Sequence, residues 1–356
     1  MKFVHSRKHI LVVFFVLILV TFTACGGGDD GGSDVSADEN SSDDQLTVGY
    51  YVNATLGDKS FFDSVKRGVD QAVEELGYEA KAVEGGTNQA DWPAGIESMV
   101  ASNDYDVVLV GTSQTTEIVT DLAERYPDQK IIFFDDTITD FDNVYSMTYS
   151  QSEGSFLAGA FAALVTTSTE LEAANPDKKV GFISGMDIPI INDFLASYEQ
   201  GAEYIDPDIE VVSSFIGDFA DAPKAKELAL AQYNSQDVDI VYQVAAAAGL
   251  GVLEAGDELG KYTIGVDDNQ NGLYPGSVLT SMMKKLDTTT FRALEKFKEG
   301  SLEFGTTEIL GVNEDGVGLA KDELYEEHVP ESIKEKMAEI EEKISSGEIK
   351  VESILK

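Results

Sequence analysis

Ile240–Asp267 (IVYQVAAAAGLGVLEAGDELGKYTIGVD) decides the fold class. It opens on a short apolar run, Ile240–Val244, continues through a helical stretch at Gly249–Leu259, and closes on a second apolar run, Thr263–Val266. Apolar runs without alternation predict strands covered on both faces, which is the condition of a parallel sheet with crossing helices. Outward from this unit the same pattern recurs. Strands are predicted at Leu46–Val52, Val107–Val110, Ile131–Phe134, Val180–Ile183 and Glu210–Phe215, with helices near Phe61–Leu76, Glu117–Arg125, Ile191–Ile205 and Pro223–Asn234. Roughly 300 residues of such pattern predict two α/β domains. In open α/β sheets a ligand sits beyond the carboxyl ends of the strands. The loops in that position are Asn53–Ser60, Gly111–Gln114, Asp135–Thr137, Gly185–Pro189, Gly217–Asp221, Ala245–Gly249 and Asp267–Gln270. Two lobes facing each other through such loops make an interdomain cleft, the usual setting of a small ligand. Farther on, Ser332–Ile344 reads as a charged amphipathic helix that packs its Ile and Met face on the domains.

The amino terminus predicts export. Lys2, Arg7 and Lys8 precede an apolar run, Ile10–Val20, and then Thr21-Phe22-Thr23-Ala24-Cys25. A basic segment, an apolar segment and a small-residue site make a signal peptide over residues 1–24; the run falls short of the ~20 residues of a membrane span. The cysteine after Thr-Ala resembles a bacterial lipobox, with Phe22 where that pattern prefers Leu, and marks Cys25 for lipidation. An uncleaved anchor helix is the alternative. Residues 25–45 are Gly, Ser and acid with almost nothing apolar, a disordered tether that buries too little to offset its chain entropy.

Composition excludes much chemistry. Cys25 is the single cysteine, so a lipidated chain has no disulfide and no thiol. His5 and His9 leave with the signal, and His328 alone remains; Ser-His, Cys-His and histidine–metal sites lose their ligands. Without residues 1–24, 22 basic residues face 65 acidic ones, a net charge of about −43. That repels nucleic acid and anionic lipid, leaving the lipid anchor as the membrane contact. It fits either a salty habitat or an ordinary acidic extracellular protein.

The loops also carry a resemblance. Gly57–Phe62 (GDKSFF), Glu153–Gly159 (EGSFLAG), Gly185–Pro189 (GMDIP), Pro223–Leu230 (PKAKELAL), Gly249–Val252 (GLGV), Ile264–Asp267 (IGVD), Leu279–Lys284 (LTSMMK) and Gly316–Leu319 (GVGL) occur in order. Together they resemble the basic membrane protein family of ABC-transporter substrate-binding lipoproteins, which includes purine nucleoside receptors. The resemblance implies a type I periplasmic-binding fold, two Rossmann-like lobes joined by three crossovers. Lobe 1 is expected over 46–150 plus a return at 285–320, lobe 2 over 151–284, and a helical segment, 321–356, packing on the lobes. It implies a monomer without cofactor that hands a nucleoside to a permease driven by a cytoplasmic ATPase. Carried over position by position, it assigns ligand contacts to Phe61 and Phe219 as two aromatic clamps, to the carboxylates Asp135 and Asp267, and to Lys284. Asn53 and Gly249, in cleft loops, complete the candidate set. Two departures stand out: Phe62 where many members have Asn, and Ala246-Ala247-Ala248-Gly249 where Gly-Gly-Thr-Gly is usual.

Several of these residues have plainer readings. Phe61 at a helix start serves equally as a core staple, and Asp58 as an N-cap. Asp135 and Asp267 each have an acidic neighbour, Asp136 and Asp268, that competes for the role. Trp92, before Pro93, reads as a packed helix start. Asp267–Gly272 lacks the closing Glu of a calcium loop. Three functions are weighed: a nucleoside receptor, a receptor for another flat or polyhydroxylated ligand such as riboflavin or a sugar, and a secreted enzyme using paired carboxylates, which no spacing supports.

Overall fold

The computed structural model describes residues 45–355; the signal segment, Cys25 and nearly all of the tether lie outside the described residues. In chain order the elements are β1 (Thr47–Val52), α1 (Phe61–Gln71, prolonged by a π-helical turn to Leu76), β2 (Glu79–Glu84), α2 (Trp92–Val100), β3 (Val107–Gly111), α3 (Thr116–Arg125), β4 (Lys130–Phe134), β5 (Val144–Tyr149) and α4 (Gln151–Thr166). There follow β6 (Lys179–Ser184), α5 (Pro189–Ile205), β7 (Glu210–Phe215), α6 (Ala222–Ser235), β8 (Ile240–Val244), α7 (Ala246–Leu259), β9 (Tyr262–Asp267) and β10 (Val278–Lys284). The chain ends through α8 (Leu286–Lys298), β11 (Thr307–Leu310), β12 (Val317–Leu319), α9 (Glu323–His328) and α10 (Glu331–Ser345).

These strands form two six-stranded sheets, β11-β5-β4-β3-β1-β2 and β12-β10-β9-β8-β6-β7. Every pairing is parallel except β12, which runs antiparallel to β10. The inner strands β3, β4, β6 and β8 are buried along their length, apart from Lys130 and Lys179 at strand starts, because helices cover both faces.

The chain passes between the lobes three times: from Tyr149 into α4, from Lys284 into α8, and from Leu310 to β12. The return to the first lobe is therefore shorter than the expected 285–320. Residues 317–319 hydrogen-bond to β10 and close the edge of the second sheet. The helices beyond it join the second lobe alone: Tyr325, Ile333, Met337, Ile340 and Ile344 sit in one apolar core with Phe161, Phe182 and Tyr242. On the first lobe, α8 lies along α1, and the Tyr78 hydroxyl donates to the Leu294 carbonyl at 2.8 Å.

The strand order reverses between β1 and β3 in one sheet and between β6 and β8 in the other. Those two reversals open crevices at the carboxyl ends, and they face each other across the lobes. Across the first, the Asn53 amide donates to Thr112 Oγ1 at 2.9 Å.

Candidate functional site

Four non-glycine residues adopt positive φ at the carboxyl ends of strands: Thr112 after β3 (77°), Asp135 after β4 (66°), Ala246 after β8 (46°) and Asp267 closing β9 (65°). All four line one cavity. Such backbone is costly for L-residues and gathers where surrounding structure holds a site in place.

The cavity, about 400 Å³, lies between the lobes and is lined by Asn53, Phe61, Asp135, Phe219, Asp267 and Lys284, among others. Its floor is electrostatic. Lys284, the last residue of β10, is 2% exposed, and its Nζ lies 2.5 Å from Asp135 Oδ1. The same ammonium sits 4.9 Å from the ring centre of Phe194 and 5.8 Å from those of Phe61 and Tyr149, so aromatic faces supply much of its surroundings. Asp267 receives a weaker neutraliser: Ser60 Oγ lies 3.2 Å from its Oδ2 and 3.0 Å from the Val266 carbonyl. Burial pushes the Asp267 carboxyl up to about 7; Lys284 opposes the shift, while Asp135 and Asp58 add to it. Burial likewise raises Asp135, against the pull of Lys284.

Asp58 belongs to this group as well as to α1. Its carboxylate accepts from the amides of Ser60 (3.1 Å), Phe62 (2.9 Å) and Asp63 (3.1 Å), satisfying the helix start, and it also lines the cavity. Burial raises its pKa against those three amides. Two carboxylates, Asp135 and Asp267, thus feel one ammonium, while the third, Asp58, rests on backbone amides. The arrangement favours a ligand that brings hydrogen-bond donors and disfavours an anion.

Phe61, the first residue of α1, packs edge-on to Phe62 (5.0 Å) and against Phe134 (5.8 Å) while facing the cavity, so its core and cleft readings both hold. Phe219 reaches the cavity from the loop between β7 and α6. Asp136 and Asp268 are not among the lining residues. Asp136 accepts from Thr116 Oγ1, and Asp268 pairs with Arg67 at 2.9 Å. Trp92 is both packed and lining: its Nε1 donates to the Gly86 carbonyl at 2.8 Å.

Gly249 is not brought to the cavity with the other candidates. It lies in the first turns of α7 and is not among the lining residues, although Ala246 and Ala247 are. Its missing side chain makes room for the Gln243 carboxamide, whose Oε1 would stand 1.8 Å from a Cβ there.

Sequence reasoning missed the second-lobe wall, Ile188, Ile190, Ile191 and Phe194 at the start of α5. The signal was the run Ile188-Pro189-Ile190-Ile191, which places apolar side chains at the helix start that follows a strand's carboxyl end. Among the described residues, Asn53 Oδ1 is buried without a hydrogen-bond partner, and no group of three or more His, Cys, Asp or Glu is placed to hold a metal ion. No described helix is long and apolar enough to cross a membrane.

A family profile described as ABC transporter substrate-binding protein PnrA-like matches residues 45–350, nearly all of the described chain. The chain belongs to this family. It is a substrate-binding protein of an ABC transporter, with a ligand and a permease as its partners, and not an enzyme. Basic membrane protein D of Borreliella burgdorferi is 29% identical over 327 residues, covering 89% of this chain and 90% of that protein. The ABC transporter nucleoside-binding protein BmpA of Lactococcus lactis is 32% identical over 248 residues, 65% of this chain and 66% of that protein. Among solved structures, a solute-binding protein of an ABC transporter system from Aeropyrum pernix matches with a TM-score of 0.79 at 26% identity, over 87% of this chain and 94% of that one. The fold is the two-lobed type I periplasmic-binding architecture.

Proposed function

We propose that the protein captures a nucleoside, most favourably a purine nucleoside, in the interlobe cavity and delivers it to its permease from the outer face of the membrane, held there by a lipid on Cys25. The observation that carries this reading is the company Lys284 and Asp135 keep: a buried ion pair beside Asp267, with Phe61 and Phe219 on the same cavity. A nucleoside has one flat part and one part rich in hydroxyls. Two rings clamp the flat part, each contributing about 0.5–1.5 kcal/mol beyond area burial. Carboxylates accept from sugar hydroxyls in charge-assisted bonds roughly twice as strong as neutral ones, and the ammonium donates to a sugar oxygen. The Lactococcus relative, described as nucleoside-binding, supports the same reading.

Isothermal titration of the wild type with inosine, guanosine, adenosine, their free bases and riboflavin tests it. Heat with the purine nucleosides, and much less with the bases, is the expected outcome. Silence with every nucleoside overturns the ligand assignment, and heat with riboflavin alone replaces it. The anchor is tested separately: Cys25→Ser leaves the membrane fraction, and retention there sinks the lipid reading.

A further inference from the structure

Gly185 stands at the strand-order reversal of the second sheet, directly after β6, where its amide donates to the Val244 carbonyl of β8 at 3.0 Å. Its backbone is not in the left-handed region, so no turn geometry demands glycine there. Space does. A Cβ at this position would stand 2.2 Å from Cδ1, 2.3 Å from Cε1 and 2.9 Å from Cγ of Phe219, and these are the three nearest atoms. One edge of the Phe219 ring therefore rests on the bare Cα of Gly185, and the residue also lines the cavity.

The backbone of Phe219 is fixed by other means. Its carbonyl accepts from the Ala248 amide in the first turn of α7 at 3.0 Å, and Gly217 N donates to the Gly185 carbonyl at 2.7 Å. Asp218 folds the turn by accepting from the amides of Ala220 (2.7 Å) and Asp221 (2.8 Å). With the backbone held, the direction of the ring remains to be set, and Gly185 is the surface that sets it.

We infer that Gly185 is a positioning residue for ligand recognition: its missing side chain is the seat that holds the Phe219 ring in its binding orientation before the ligand arrives. This rests on the reading that Phe219 contacts the ligand. A ring seated in advance spares the ligand the cost of ordering it. Gly185→Ala introduces no backbone strain and has one neighbour to displace, so it probes the seat and little else.

The test is a double-mutant cycle with inosine as probe, in the full chain. Trp92 is the only tryptophan and lines the cavity, so its emission reports binding alongside calorimetry. Gly185→Ala is expected to weaken inosine binding roughly tenfold, with a melting temperature near that of the wild type. In a Phe219→Ala background, where nothing occupies the seat, the same substitution is expected to change affinity less than about twofold. An equal loss in both backgrounds overturns the inference, since glycine would then act through something other than the ring. So does an unaltered affinity for Gly185→Ala when Phe219→Ala alone binds weakly; in that case the ligand reading stands. If Phe219→Ala itself binds inosine as well as the wild type, the ligand reading fails and the seat goes with it.

Discussion

At the floor of the cleft, Asp135 pairs with a single ammonium, that of Lys284, Asp267 lies in its field, and Asp58 beside them rests on backbone amides; all four are less than a tenth exposed. On the second-lobe wall, Ile188, Ile190 and Ile191 offer no polar side chain. The two surfaces line one cavity, and a ligand there would be discriminated differently by each. A site that presents buried hydrogen-bonding groups rejects an analogue lacking the matching group by factors of about 10⁴–10⁵. An apolar wall separates ligands differing by a methylene only about 10–200-fold. On the proposed reading, selectivity resides in the floor, and the wall contributes burial to whatever the floor accepts.

The strongest way to break that contrast is Lys284→Met. It leaves Asp135 and Asp267 buried together without their cation, and removing one partner of a buried pair costs about 3–5 kcal/mol. Urea denaturation is expected to register a loss of that size, and calorimetry no inosine binding. Adding Asp135→Asn to it restores most of the stability and none of the binding. A single variant as stable as the wild type would show that the floor does not depend on the pair.

Next in size is Asp267→Asn. It is expected to weaken nucleoside binding by about 1–3 kcal/mol and free-base binding little, because the sugar alone loses its acceptor. An equal loss for both classes would move Asp267 off the sugar. The same variant has a pH signature in the ligand-free protein. The Asp267 carboxyl titrates at about 7 when folded and near 3.9 in an unfolded chain. Below about pH 4 it is neutral in both states and costs nothing. As pH rises from 4 towards 7 the unfolded chain ionises first, so stability falls, and above 7 the loss is complete. Asp267→Asn should therefore melt higher than the wild type at pH 8, with the gap narrowing towards pH 5. A gap that is constant with pH contradicts the assignment.

A smaller effect sharpens the same point. Sugar hydroxyls donating to Asp267 favour its ionised form, so binding releases a proton. Inosine affinity is then expected to rise between pH 6 and 8, by less than tenfold per unit. Titrations in buffers of different ionisation enthalpy read the proton directly. A slope that survives in Asp267→Asn assigns it elsewhere. Smallest of all is the wall: Ile191→Val is expected to lower stability by about 0.5–1.5 kcal/mol and to leave the ratio of nucleoside to base affinity unchanged. A shifted ratio would give the wall a part in selection.

Most inner strands are legible because burial on both faces writes an unbroken apolar run, as in Val107–Val110 or Ile131–Phe134, whereas β5 (VYSMTY) and β10 (VLTSMMK), inner and buried as well, carry Ser and Thr that break the run and hide them. At the sheet edges the signal is uneven: β7 still reads as a strand over Glu210–Phe215, while the others do not. β2 (EAKAVE) is a sheet edge, largely exposed, and its alternation with charge hides it. β12 is three residues whose partner lies in β10, a pairing no local pattern records. α4 is buried nearly all round, so it has no apolar stripe to reveal a helical period. In the site, Asp135 and Asp267 were readable as acids closing apolar strands. Asp58 was read only as a cap, although its carboxylate serves helix and cavity together. Gly249 stands in sequence at the boundary of a loop, Ala245–Gly249, and a helix, Gly249–Leu259, and no local pattern records that the carboxamide of Gln243 packs where its side chain would be. Ile190 and Ile191 carry no mark of the cleft, since an apolar side chain looks the same in sequence whether it faces a core or a cleft.

The late strands carry a consequence for the order in which the molecule is made. Thr307 of β11 pairs with Ser146, and Leu319 of β12 with Met282. The first sheet thus waits for its edge strand until every parallel strand of the second has left the ribosome, and the second gains its own edge only after that. Neither sheet is complete until both lobes have largely been made, so assembly is governed by contacts of long sequence separation, which form slowly. A calorimetric scan should accordingly give one melting transition, and two separated transitions would show that the lobes fold apart. A chain interrupted shortly before Thr307 leaves both sheets with open edges, the form in which strands recruit other chains.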